Sequence, residues 1–351
     1  MRELIDVLRR LSEAHGPPGL EDEVANIIVD ELKGHVDGFV RDQLGNLIAY
    51  KGSGDKSLMI AAHMDEIALI VKSIDEKGFI RFAKLGGIWD QLLVGQRVVI
   101  HGSKGRVKGV IGSKAVHVMK DEERRQLLTY EKMFIDVGAR SLEEVKEMGI
   151  AVGDFITIDR NFVELVNGLV SGKAFDDRAG CAALVQALKD VKPRNKVYAV
   201  FTIQEEVGLR GATVAGYAIK PTVGIAVDTT IAGDHPNVDV HEAPVKVGKG
   251  PVIVAADGRR DSLSGGLIPN PKVKQWVMEI AEKRKIPFQL EVLEGGTTDA
   301  TAIQLSREGV PSGVVAVPTR YVHTFQEVLS IKDLEDLIEL LRGLIEEDIP
   351  F

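Results

Sequence analysis

Hydrophobic and polar positions change their spacing along the chain, and the changes mark three stretches. Near the N-terminus apolar residues recur at helical spacing, which predicts helices over 4–11 and 21–33. A hairpin is expected over 39–50, with its turn at a glycine and an asparagine. Residues 58–62 then form a continuous apolar run, typical of a strand buried on both faces, and His63 follows directly. An α/β unit therefore begins in this first stretch.

From about residue 67 to residue 162 short β-rich segments recur, and glycine-containing turns separate them. This texture favours a small β-barrel or sandwich. After residue 163 the α/β rhythm returns. Strands are expected over 197–203, 222–227, 251–255, 288–293 and 313–317, and helices over 177–189, 271–285 and from Ser330 onward. We expect an α/β domain formed by 1–66 and 163–351, interrupted by a β-rich insert over 67–162.

Composition narrows the classes of function. The chain has 351 residues, of which 52 are acidic and 44 basic, giving a net charge of −8 that argues against a nucleic-acid partner. No apolar run approaches the ~20 residues needed to cross a bilayer, so no membrane partner is expected. Cys181 is the single cysteine, which excludes an internal disulfide framework and a multi-cysteine metal site. We expect a soluble, cytoplasmic protein.

Histidines and carboxylates follow several of the predicted strands. In open α/β sheets the functional cleft lies beyond the carboxyl ends of the strands, so residues distant in sequence can meet there. Two histidines with several carboxylates suit a dinuclear site of zinc, cobalt or manganese. The candidates are His63, Asp65, Asp176, Asp177, Glu205, Glu206, Asp228 and His323.

Each candidate also has an ordinary explanation. His63 could be a buried histidine satisfied by hydrogen bonds, and Asp176 with Asp177 could cap the following helix. Glu205 and Glu206 could be a solvated acidic pair at the end of a strand. The recurrence of such residues after five strands favours one common site.

Six segments that carry these residues resemble the tetrahedral aminopeptidases, a family of cobalt- or zinc-dependent peptidases. The resemblance covers essentially the whole chain, including the position and length of the insert. Ala68 stands where the family commonly has glycine, and Thr324 where serine is more usual; neither is a ligand. The segments are Ala62–Glu66, Lys173–Arg178, Gln204–Gly208, Val227–Asp228, Gly295–Ala300 and Arg320–His323.

The resemblance implies a role for seven of the eight candidates. Asp176 would bridge two divalent metal ions, zinc or cobalt, with His63 and Asp228 completing the shell of one and Glu206 and His323 that of the other. Glu205 would be the general base that activates a bridging water, and Asp65 the partner of His63. The peptide bond between Asp176 and Asp177 would be cis.

The resemblance also implies a fold and an activity. The fold would be a mixed-sheet α/β sandwich of the phosphorylase/hydrolase-like kind, with the inserted β-barrel serving dimerisation. The activity would be removal of N-terminal residues from short peptides with a free N-terminus, in a homo-oligomer built from dimers into a tetrahedral dodecamer. Ligand chemistry alone also permits a related dinuclear amidohydrolase (a deacylase or carboxypeptidase) or a phosphoesterase. A non-catalytic peptide-binding assembly protein is the alternative from another class.

Overall fold

The computed structural model describes residues 1–351 and contains two sheets. Most strands coincide with the apolar runs of the sequence. The strands are, in chain order, β1 (Gly38–Arg41), β2 (Leu47–Lys51), β3 (Ser57–His63), β4 (Ala68–Ile74), β5 (Ile80–Leu85), β6 (Arg97–Gly102), β7 (Gly105–Gly112), β8 (Phe134–Asp136), β9 (Phe155–Ile158), β10 (Val163–Glu164), β11 (Leu169–Gly172), β12 (Lys196–Thr202), β13 (Val223–Ile231), β14 (Val252–Gly258), β15 (Gln289–Glu294), β16 (Ser312–Arg320) and β17 (Glu327–Ser330).

The larger sheet is mixed and has the strand order β1-β2-β12-β3-β13-β16-β17-β11-β10, with β14 and β15 attached beside β16. Its central strands β12, β3, β13 and β16 run parallel to one another. These strands are almost wholly buried, as their continuous apolar runs predict. Because their carboxyl ends lie at one edge, residues that follow them are brought together there.

The smaller sheet is a closed barrel with the strand order β4-β5-β8-β7-β6-β9, all in antiparallel pairs. Closure pairs every edge and encloses a hydrophobic core of its own. Residues outside the strands also belong to this core, among them Ile67, which precedes β4, and Phe325, which precedes β17.

Helices cover both faces of the larger sheet. On one face α1, α2, α5, α7 and α9 share the main hydrophobic core, and on the other α6 and α8 pack through Ala212, Ala215 and Ile303. The helices are α1 (Arg2–Glu13), α2 (Asp22–Leu32), α3 (Asp121–Arg125), α4 (Leu142–Glu147), α5 (Phe175–Leu188), α6 (Arg210–Ile219), α7 (Pro271–Lys283), α8 (Asp299–Gln304) and α9 (Ile331–Glu346). The predicted α/β mixed-sheet sandwich with an inserted β-barrel is confirmed.

Several elements were not expected from the sequence. Helix α6 contains two glycines, which lower helix propensity, and α8 is shorter than the window over which helical periodicity can be recognised. Strands β11 and β17 have four residues each and are fixed by pairing with each other.

At the start of α9, Ser330 and Asp333 form only half of a capping box. The Ser330 hydroxyl accepts a hydrogen bond from the Asp333 amide at 3.4 Å, as expected of an N-cap. The Asp333 carboxylate does not return to Ser330. It accepts instead from the amides of Gly248 (2.5 Å) and Gly250 (2.8 Å), which ties a distant loop to the helix.

None of the helices combines the length and the apolar character that a membrane crossing requires.

Candidate metal centre

Parallel strand pairing places the predicted site residues at one edge of the larger sheet. His63 is the last residue of β3 and pairs with Thr202, the last residue of β12, which Glu205 and Glu206 follow. Ala226 of β13 pairs with Ala61 of β3, so Asp228 and His63 each lie two residues beyond a paired position. The register of the strands therefore brings these side chains to the same edge of the sheet without the help of a metal ion.

The Asp176 carboxylate lies between the two histidines. Its Oδ1 is 3.0 Å from His63 Nε2, and its Oδ2 is 3.4 Å from His323 Nε2. His323 Nε2 is also 3.8 Å from Glu206 Oε2. One carboxylate thus presents a separate oxygen to each imidazole, which is the arrangement a bridging ligand requires.

The donor atoms fall into two groups. Those of His63, Asp177 and Asp228 lie within 4.8 Å of one another, and so do those of Asp176, Glu206 and His323. Asp177 was a candidate from the sequence, but the family resemblance implied no ligand role for it. Its carboxylate already accepts hydrogen bonds from the amides of His63 (3.1 Å) and Gly180 (2.9 Å), so part of its bonding capacity is used by the backbone. The bond between Asp176 and Asp177 is cis, in agreement with the resemblance.

Asp65 contacts more of the site than the sequence indicated. Its Oδ1 accepts from the Glu205 amide at 2.9 Å and its Oδ2 from the Glu206 amide at 3.0 Å. Its Oδ1 is 3.6 Å from His63 Nδ1, whereas its backbone carbonyl oxygen is nearer to that nitrogen, at 3.1 Å. Asp65 therefore orients the His63 ring through its carbonyl and holds both glutamates through its carboxylate.

Burial and the neighbouring carboxylates both disfavour ionisation of the acidic side chains of the site. Burial raises the pKa of Glu205 well above its ordinary value; His63 opposes this, and Asp299 and Asp228 reinforce it. Burial likewise raises the pKa of Glu206 to about 7 and that of Asp228 well above its usual range.

The histidines favour the ionised form of Asp176. Burial by itself would raise the pKa of Asp176, but hydrogen bonds from His323 and His63 lower it below the ordinary value. Burial would lower the pKa of His63, and its bonds to Asp176 and Asp65 raise it instead. These opposed shifts mark a buried cluster of mutually interacting charges, typical of a functional site.

These residues fit divalent cations. Buried carboxylates need a partner, and the Glu205 side chain receives no hydrogen bond from the protein, while Asp228 receives one, from the Thr229 amide at 2.7 Å. Imidazole nitrogens and carboxylate oxygens without thiolates suit zinc, cobalt and manganese. The chain therefore has two candidate metal-binding groups that share one edge.

A cleft of about 210 Å³ opens beside the two groups. Its lining includes five candidate residues of the site: His63, Asp176, Glu205, Asp228 and His323. The remaining walls carry no charged side chain and consist of Thr229, Thr230, Ile231, Leu293, Gly295, Gly296, Thr297, Thr298 and Val322. The Gly295–Thr298 part of one of the six resembling segments thus lines the cleft.

Two buried acidic residues of the site were missed in the sequence. Glu327 accepts from the amide of Asp176 at 3.1 Å and from that of His323 at 3.0 Å, so one side chain fixes the backbone of two candidate ligands. Glu66 forms an ion pair with Lys173 at 2.6 Å, beneath the loop that follows β3. The His-x₃-Glu spacing of His323 and Glu327 is a weak signal, and no local pattern indicates the pair between Glu66 and Lys173.

Comparison with known proteins places the chain in a family. The model of the M42 glutamyl aminopeptidases matches residues 45–340. The chain belongs to the M42 peptidase family. The lysyl aminopeptidase of Pyrococcus furiosus is a relative that is 36% identical to this chain over 347 residues. The match covers 97% of this chain and 96% of the relative.

Solved structures agree with the M42 assignment. An aminopeptidase from the archaeon Desulfurococcus kamchatkensis is 42% identical, covers 99% of this chain and 95% of its own, and superposes with a TM-score of 0.93. The TET1 peptidase of Pyrococcus horikoshii is 34% identical, covers 98% of this chain and 100% of its own, and has a TM-score of 0.88. The resemblance to the tetrahedral aminopeptidases is confirmed, and membership of M42 supports an aminopeptidase activity.

Proposed function

We propose that this M42 protein is a two-metal aminopeptidase that removes N-terminal residues from short peptides. The observation that carries the proposal is the position of Asp176, whose two carboxylate oxygens face His63 and His323 separately. A carboxylate shared in this way can hold two cations ~3.5–4 Å apart.

The other proposed ligands form two pairs, one for each of the two cations that Asp176 would share. His63 and Asp228 would hold one cation with Asp176, and Glu206 and His323 would hold the other. Zinc and cobalt are the proposed ions. When bound, the pair would supply Lewis acidity to the scissile carbonyl and to the attacking water.

Glu205 is the proposed general base. Its backbone is held by Asp65 at 2.9 Å, and its half-buried side chain receives no hydrogen bond from the protein, so the carboxylate is free to accept a proton. Glu205 would take a proton from the attacking water and deliver it to the departing amine.

The proposed substrate is a peptide with a free N-terminus. The cleft is lined by acidic side chains, which suit an α-amine, and by neutral side chains. A related deacylase or carboxypeptidase would not need that amine, and a non-catalytic peptide-binding assembly protein would not need Glu205.

The same proposal includes an assembly. The Pyrococcus horikoshii TET1 peptidase can form a tetrahedron or a large octahedral shell. We expect this chain to form a homo-oligomer in which residues 67–162 serve dimerisation and residues 1–66 and 163–351 form the catalytic domain, with a tetrahedral dodecamer as the product. A cytoplasmic location, as expected in the sequence analysis, belongs to the same proposal.

The decisive experiment compares one short peptide with its N-acetylated form. Release of the N-terminal residue is measured with added cobalt or zinc and again after chelation. We expect cleavage of the free peptide alone, abolished by the chelator. Cleavage of the acetylated peptide would instead support a deacylase or another amidohydrolase, and no cleavage by a metal-loaded protein would support the non-catalytic alternative.

A further inference from the structure

A turn of the barrel lies directly against the candidate metal centre. Gly86, Gly87 and Ile88 follow β5, and the Gly87 carbonyl oxygen is 2.8 Å from His323 Nδ1. A carbonyl oxygen can only accept, so Nδ1 carries the hydrogen and donates it. In a neutral imidazole this leaves the lone pair on Nε2, the atom that faces Asp176 and Glu206.

The two glycines of this turn fit the site closely. A Cβ added at Gly87 would lie 2.9 Å from His323 Nδ1, and one added at Gly86 would lie 2.9 Å both from Glu206 Oε2 and from Ile67 Cγ2. Such distances force a neighbouring group to move. In both cases a candidate ligand is among the groups in contact, so the turn limits the positions open to His323 and Glu206.

The barrel holds this turn in place. Lys84 donates from Nζ to the Ile88 carbonyl at 2.8 Å and to Asp90 at 2.7 Å. Ile88 itself is 4% exposed and belongs to the hydrophobic core of the barrel. The turn is therefore anchored by hydrogen bonds and by packing.

The barrel also holds the segment that carries His323. Phe325, two residues further on, is 4% exposed and packs in the barrel core. Tyr321 and His323 have left-handed backbones, with φ of 63° and 61°, which residues other than glycine adopt only when their surroundings enforce it. The Gly87 carbonyl and the burial of Phe325 supply that enforcement from the barrel side.

We propose that the Gly86–Gly87 turn makes the barrel a positioning element of the metal centre, in addition to any role in assembly. The turn fixes the ring orientation and tautomer of His323 and confines Glu206. It thereby sets the affinity for the cation that these two residues hold. This inference rests on the proposed two-metal function, because the turn contacts the two residues that are proposed to hold the second cation, His323 and Glu206.

The test measures metal affinity rather than turnover. The free Co²⁺ or Zn²⁺ concentration that half-fills each of the two sites is determined by chelator-buffered titration with mass-spectrometric metal counting. Loss of a group that orients a metal-ligating histidine weakens binding by about 10- to 100-fold. We expect a weakening of that size in Gly87→Ala and in Gly86→Ala.

Gly95→Ala is the matched control for Gly86→Ala. Gly95 also lies in the barrel segment, with φ of +83° against +87° for Gly86, and a Cβ there would meet no atom within 4 Å. Both variants therefore carry a similar backbone strain, and only Gly86→Ala touches the site. Gly95→Ala should bind metal as the wild type does, and a weakening equal to that of Gly86→Ala would overturn the proposal.

A double-mutant cycle tests whether Gly87 acts through His323. Gly87→Ala should weaken metal binding no further once His323→Ala is present, since the group it displaces is gone. An equal further loss in that background would overturn the proposal, as would wild-type affinity in Gly87→Ala. Should the glycine variants not fold, Lys84→Met decides, because it releases the turn without adding a contact: weaker binding supports the proposal and unchanged binding overturns it.

The proposed function fails in a different way. It fails if the wild-type protein binds fewer than two metals or releases no N-terminal residue. The positioning proposal fails if the wild type does both and the variants of the turn bind metal as tightly as it does.

Discussion

Replacing Asp65 by asparagine changes the one side chain that holds both glutamates of the site. In the wild type each carboxylate oxygen accepts one amide hydrogen, from Glu205 at 2.9 Å and from Glu206 at 3.0 Å. Asparagine keeps one acceptor oxygen and turns an NH₂ group toward the other amide. Two donors then face each other in a buried position, because Asp65 is fully buried.

The size of the effect follows from these contacts. A hydrogen bond to a charged group contributes about 1.5–3 kcal/mol, and a buried donor left without a partner costs about 1–3 kcal/mol. We take about 2–3 kcal/mol for the exchange of one carboxylate oxygen for NH₂. If that energy is lost from the transition state, kcat/KM falls roughly 30- to 160-fold.

The assay is hydrolysis of an amino-acid p-nitroanilide that the wild-type protein cleaves, with metal content measured on the same sample. Asp333→Asn is the matched control, since the buried Asp333 carboxylate also gives one oxygen to each of two amides, those of Gly248 and Gly250, outside the cleft. Both variants should lose comparable stability in denaturant unfolding. Only Asp65→Asn should lose kcat/KM.

The proposed role of Asp65 is wrong if Asp65→Asn retains metal and its kcat/KM stays within about threefold of the wild-type value. A change of that size corresponds to less than about 1 kcal/mol of activation free energy. Equal kinetic losses in the two variants would also refute that role, since the effect would then be a general loss of stability.

Three further predictions concern the site and its surroundings. Glu205→Gln should retain both metals and lose at least about 10²-fold in kcat, because a general base is removed; metal loss on mass-spectrometric counting would mean that Glu205 and Glu206 have exchanged roles. His63→Ala should release at least one metal per subunit, and unchanged metal content would contradict its role as a ligand. Burial lowers the pKa of His15 to about 4. As the pH falls from about 6.5 toward 4, the unfolded chain therefore binds a proton at His15, whereas the folded protein does not. Stability should decline over that range by about 1–2 kcal/mol after allowance for solvent screening; urea unfolding at several pH values should give a flatter profile for His15→Gln, and an unchanged profile would exclude this histidine as the source.

The sequence by itself was sufficient for the α/β domain, the β insert and most candidate ligands. Apolar runs such as residues 58–62 indicate strands that are buried on both faces. Polar residues directly after such runs, such as His63, indicate the edge of the sheet at which the strands end. Assignment of separate roles to Asp176 and Glu205 depended on the family resemblance, because acidic residues at strand ends are common without a function.

The tertiary structure alone decided which distant groups orient the ligands. Glu327 binds the amide of Asp176, 151 residues away, and Gly87 binds His323 across 236 residues. These partners are a carboxylate in a four-residue strand and a backbone carbonyl, and neither leaves a periodic signal in the chain. Local patterns encode burial and secondary structure, whereas such contacts exist only once the barrel and the larger sheet have packed together.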